Sequence, residues 1–188
     1  MSMKVTAAPS VEPCTAAEVK LIARMTATGL DSLIASDYIP AARRACEQRT
    51  QRYLNTQTVT LTLEDWPHGD CIDIPRGPIL SVTSIVYRDT TGSSQTLSSA
   101  SYEFKQVSDS VPPEIALLPG YSWPALGDYE DAVIVTMQAG YGATAAHVPH
   151  DLRMWVMAAA GEMVRTGSLD IPRDFAAGLL DAQSILSA

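Results

Sequence analysis

The spacing of apolar residues changes twice along this chain, from helical to alternating and back. Near the start, Val19, Ile22 and Ala23 follow Thr15-Ala16-Ala17-Glu18. That tetrapeptide has the form of a capping box, with Thr15 as N-cap and Glu18 reaching back. Gly29 offers a stop, so a first helix is predicted over 15–28. Asp31 or Ser36 could cap a second helix, and a start at Ser36 leaves Pro40 in the first turn, where a missing N–H matters least. Tyr38, Ala42, Ala45, Arg49 and Tyr53 fall on or near one stripe of it. Arg43, Arg44, Glu47 and Arg52 lie on its other faces and read as a solvated surface.

From residue 56 the period becomes two. Residues 56–63 place threonine at every second position, alternating with Gln57, Val59, Leu61 and Leu63, the pattern of a half-buried strand. Short strands are predicted at 71–74, 79–87, 95–97, 102–104, 114–117 and 132–139. Turn chemistry separates them: Trp66-Pro67-His68-Gly69-Asp70, Pro75-Arg76-Gly77-Pro78, and the tip Asp89-Thr90-Thr91-Gly92-Ser93. Helical spacing returns after Pro149, with Leu152, Trp155, Val156, Ala159, Ala160 and Met163 on one face and Gly167 at the end. Phe175, Leu179, Ala182 and Leu186 predict a final helix over about 174–187.

Neither pair of terminal helices can bury its stripe alone, so the two pairs are expected to pack together. The expected fold class is α+β: a small helical bundle from the N- and C-terminal helices with an inserted antiparallel β domain. Its expected parts are a flexible arm over 1–14, a bundle from 15–55 and 148–188, and a β domain over 56–147.

Composition narrows the function. With 21 acidic and 13 basic residues, the net charge of −8 argues against a protein that grips phosphates. Cys14, Cys46 and Cys71 show no ligand spacing and are expected as reduced thiols. There is no signal-like start and no apolar run of membrane-spanning length, so a soluble protein made in a cytoplasm is expected.

Catalytic motifs are missing from the chain: no GxSxG, P-loop, GxGxxG after a strand, or HExxH. His147 and His150 flank Val148-Pro149 at a helix start and read as exposed positions there. Asp128, Glu130 and Asp131 read as a solvated acidic loop without the EF-hand spacing. Gly140-Tyr141-Gly142 lacks a lysine and reads as a turn out of the sheet. No enzyme, cofactor or metal is expected.

One set of short motifs carries a resemblance. Ile74-Pro75-Arg76-Gly77-Pro78-Ile79, then Ser81-Val82-Thr83-Ser84-Ile85 and Tyr87, is similar to the central motif of the phage head-tail connector (adaptor, head-completion) family. Arg49-Thr50, Thr56-Gln57-Thr58, Ser122-Trp123-Pro124, Ala139-Gly140-Tyr141-Gly142 and Val148-Pro149 with Leu152 follow in that family's order. The resemblance runs from about residue 15 to 165; Pro40 and the segment 166–188 depart from it.

The resemblance implies a homo-oligomeric ring, usually twelve-fold, beneath the portal protein in the virion neck of a tailed phage or phage-like particle. Such a ring gives a stopper or tail-completion protein its docking surface. Packaged DNA passes through its channel without specific binding, and no membrane is involved. Assembly takes place in the host bacterial cytoplasm. Within that frame, Leu179, Leu180, Ile185 and Leu186 are the candidate portal contacts. Asp89, Gly92, Asp109, Arg43 and Arg44 are candidates for inter-subunit or tail-side contact, with tips expected at 89–94 and 106–113. The rival readings are another neck or tail component, such as a stopper or tail terminator, and more remotely a small hydrolase.

Overall fold

A computed structural model describes residues 1–26, 29–106, 108 and 111–167. The fold class is α+β, with antiparallel sheets. Two compact units divide the chain. The β unit holds Met1–Pro9 and Gln57–Gly140, and the helical unit holds Ser10–Thr56 and, among the described residues, 141–167.

The β unit contains β1 (Ser2–Ala7), β2 (Gln57–Leu63), β3 (Cys71–Asp73), β4 (Ile79–Arg88), β5 (Ser94–Thr96), β6 (Tyr102–Lys105), β7 (Glu114–Leu117) and β8 (Val133–Ala139). Five of them form one sheet in the order β1-β2-β8-β4-β5, and the others form a second in the order β3-β7-β6. β2 and β8 alternate strictly between buried and half-buried positions. Their register places Val59 opposite Met137 and Leu61 opposite Val135, so buried side chains meet buried side chains. Each contributes about 1.5–3 kcal/mol by leaving water. A slip of one residue would turn Thr58, Thr60 and Thr62 into the core, which fixes the register.

Residues 2–7 correct one expectation. In place of a flexible arm, they form β1, antiparallel to β2, with Met3 opposite Leu61 and Val5 opposite Val59. Five of its six residues are exposed, so the strand is held mainly by backbone hydrogen bonds. A segment that buries so little leaves a weak hydrophobic pattern. It forms because the outer edge of β2 has N–H and C=O groups to satisfy.

In the helical unit, α1 (Ala16–Ile22) starts at the expected capping box. Glu18 Oε2 accepts from the Thr15 backbone N–H at 2.8 Å, and Thr15 Oγ1 accepts from the Glu18 N–H at 3.3 Å. The helix ends earlier than expected, because Arg24 adopts a left-handed φ of 53° before Gly29 is reached.

The second helix starts at Asp31, the earlier of the two positions the sequence offered. It runs as α2 (Asp31–Leu33), a π-helical stretch (Ile34–Tyr38) and α3 (Ile39–Thr50). Pro40 explains the middle piece. Proline cannot donate the i→i−4 bond, and the wider π turn, in which the Ile39 N–H reaches Ile34 O, carries the chain past it. α4 (His150–Thr166) ends at Gly167, whose φ of 71° makes the left-handed cap.

Leu152, Trp155, Val156, Ala159 and Ala160 of α4 join Val19, Ile34, Ile39, Ala42 and Cys46 in one buried cluster. The chain re-enters this unit earlier than the expected residue 148. The Tyr141 N–H donates to Leu54 O at 2.8 Å, and the Thr56 N–H donates to Gly142 O at 3.0 Å. The predicted final helix over 174–187 lies outside the described residues.

Candidate assembly surfaces

Of the residues expected on a solvated face of the second helix, Arg44 is exposed, whereas Arg43, Glu47 and Arg52 are buried. Arg43 is 3% exposed. Its Nε donates to Glu12 Oε2 at 2.8 Å, and a terminal nitrogen donates to Glu47 Oε2 at 3.0 Å. Glu47 Oε1 accepts from the Leu54 backbone N–H at 3.0 Å. Arg52 is also buried and donates to the Tyr141 hydroxyl at 2.7 Å. Desolvating a charge is costly, and these hydrogen bonds offset the cost. Arg43 is therefore an internal clamp that fixes the stretch around Glu12 to α3, and the free fold does not present it as a contact residue. Arg44 is exposed. Arg49 is exposed too, and its guanidinium lies 5.4 Å from the Trp155 ring centre.

The β4–β5 tip depends on Asp89. Its Oδ1 accepts from the Thr91 N–H (2.9 Å), the Thr91 hydroxyl (2.6 Å) and the Ser93 N–H (3.0 Å), and its Oδ2 accepts from Gln95 (3.0 Å). These donors, the Thr91 hydroxyl foremost, hold its carboxyl down to about 2. Gly92 takes a φ of 82°, and an added Cβ would sit 2.7 Å from the Tyr129 hydroxyl. Asp89 and Gly92 thus shape an exposed tip and set its outline. Asp109 lies outside the described residues, as do Leu179, Leu180, Ile185 and Leu186.

The helical unit carries a shallow groove of about 240 Å³ between α1 and α4, lined by Ile22, Ala23, Arg24, Ala158, Gly161, Glu162 and Arg165. Gly161 lets the helices approach, since a Cβ there would lie 3.2 Å from that of Ala23. Leu21, 79% exposed, and Leu33, 41% exposed, add apolar surface on the same unit.

Burial pushes the Cys14 and Cys46 thiols up to about 12, the opposite of a reactive cysteine. His147 Nδ1 lies 2.9 Å from the Thr144 hydroxyl and caps the short turn before α4. Among the described residues, no three His, Cys, Asp or Glu side chains gather as metal ligands would. No described helix is long and apolar enough to cross a membrane.

Sequence reasoning missed an aromatic cluster on the β unit. The Trp66 and Trp123 rings stack at 4.5 Å and 12°, with Tyr87 at 6.0 Å from Trp66. Each indole N–H is tied to the opposite loop: Trp66 to Pro124 O at 2.8 Å, and Trp123 to Gly69 O at 2.9 Å. The available signal was the recurrence of Trp-Pro, at 66–67 and 123–124.

Charge is also divided unevenly. The β unit has four Lys and Arg against eleven Asp and Glu, a net of −7; the rest of the chain has nine against ten, a net of −1.

No protein-family model matches the chain, and no curated protein matches it in sequence. Solved structures do match. A chain in the virion of a native gene transfer agent (GTA) particle aligns at 24% identity with a TM-score of 0.81, covering 100% of this chain and 97% of that one. A chain in the neck of an empty GTA particle computed with C6 symmetry aligns at 22% identity and a TM-score of 0.80, with the same coverage. A chain in the neck of a native GTA particle computed with C12 symmetry gives 22% and 0.73, again with the same coverage. At these identities the likeness establishes a shared fold.

Proposed function

We propose that this chain is a head-tail connector (adaptor) subunit, a structural protein of the virion neck without catalytic chemistry. Twelve copies form a ring beneath the portal of a tailed phage or phage-like particle and give stopper or tail proteins their docking surface. The observation that carries this reading is the end-to-end likeness to chains of GTA virion and neck structures. The symmetry of the C12 neck supports the ring number.

A closed ring needs two unlike patches on each subunit, meeting head to tail. The exposed apolar residues Leu21 and Leu33 of the helical unit supply one patch, together with Arg44. The tip built by Asp89 and Gly92 supplies the other, and Asp109 is a further candidate from the sequence. Weak contacts suffice, because a ring multiplies them. The net charge of −8 keeps free subunits apart, and carboxylates facing the channel let DNA slide. The C-terminal segment, through Leu179, Leu180, Ile185 and Leu186, contacts the portal.

Native mass spectrometry of the full chain with and without portal protein tests this. A shift to a large oligomer with the portal is expected, and deletion of 174–188 should abolish it while leaving a folded monomer. A chain that ignores portal rings would contradict the adaptor role, and a stopper or tail terminator would behave in that way.

A further inference from the structure

The aromatic cluster has properties that core packing does not require. Both tryptophans are half-exposed, and Tyr121, two residues before Trp123, is 53% exposed. The two indole N–H bonds run in opposite directions between the 66–70 and 123–124 loops, so the rings are fixed before any partner arrives. Rigid aromatic rings anchor interfaces because little side-chain freedom remains to be lost.

The chemistry around them is one-sided. Residues 64–75 and 117–131, which carry Trp66, Tyr121 and Trp123, contain seven carboxylates and no lysine or arginine. Arg88 of β4, next in sequence to Tyr87, is paired with Asp131 at 3.0 Å, and its guanidinium lies 5.1 Å from the Tyr129 ring centre. Aromatic faces attract cations, guanidinium above all, and a carboxylate rim steers them in.

We infer that the surface formed by Trp66, Trp123 and Tyr121 is the docking site for an arginine-bearing segment of a different, basic protein. A second copy of this chain is a poor complement. Each copy carries −8, so two copies repel. In the helical unit Arg43, Arg153 and Arg165 are held in ion pairs, and Arg49 lies over the Trp155 ring. Of the exposed Arg24 and Arg44, the latter is assigned above to the ring contact. The inference rests on the neck reading only in naming the particle as the place where the partner is met.

The test places photoreactive benzoylphenylalanine at position 121 of the full chain and irradiates assembled particles. The expected result is a cross-link to a peptide of another particle protein with arginine at the linked site. The charge reversal Asp65→Lys with Asp70→Lys should cut its yield by about tenfold while ring incorporation persists. Should that double variant not fold, Asp65→Asn with Asp70→Asn supplies the same readout at smaller amplitude. A cross-link to a second copy, an unchanged yield, or no cross-link from a chain present in the particle overturns the inference. A chain absent from the particles defeats the neck reading, and this inference with it.

Discussion

Arg43 and Arg88 each face a carboxylate at hydrogen-bond distance, in different surroundings. In the helical unit the Arg43 side chain is 4% exposed and is clamped between Glu12 and Glu47. In the β unit the Arg88 side chain is 39% exposed beside Asp131, 47% exposed. The first pair has lost its water and must be complete; the second keeps its water and is optional. The same division runs through both units. The helical unit draws part of its charge inward to lock segments together. The β unit gets its register from alternation and leaves its carboxylates and aromatic rings outside.

This contrast can be broken by substitution. Glu47→Ala strands Arg43 and the Leu54 N–H in the interior and should cost about 3–5 kcal/mol in denaturant unfolding. Trp155→Ala, in the same core, should cost a similar ~3–5 kcal/mol. Arg88→Ala in the β unit should cost only ~0–1 kcal/mol. Equal losses for Glu47→Ala and Arg88→Ala would erase the distinction. Thr15→Ala removes the α1 cap and should cost about 1 kcal/mol.

Two solution measurements sharpen it further. Asp89 has its carboxyl lowered from 3.8 to about 2, so its hold on the tip is complete above the ordinary carboxylate value and is lost as pH falls through the lower one. The Thr91 and Ser93 amide shifts should therefore titrate with a midpoint near 2, and a midpoint near 3.8 would contradict the bonding described. In thiol labelling of the native protein, Cys71 should react first, because Cys14 and Cys46 are buried and held up to about 12.

Features set by neighbours in sequence were readable beforehand. The Thr15–Glu18 box, the alternation of residues 57–63 and 133–139, and the stop at Gly167 all appear where the pattern places them. Features set by distant partners were not. β1 forms to satisfy an edge more than fifty residues away, and its own side chains bury little. Arg43 looks solvent-facing on the helix until Glu12 folds over it. The π turn shows only as a proline in an awkward place. The aromatic cluster needs two loops 57 residues apart to meet, and only the doubled Trp-Pro hints at it.

The adaptor reading meets its most direct test in imaging of the assembled particle neck by electron cryomicroscopy. It predicts twelve copies of this chain in a closed ring between the portal and the tail side, with residues 174–188 against the portal. A neck in which the ring below the portal is built by another protein, with this chain elsewhere or absent, would contradict it.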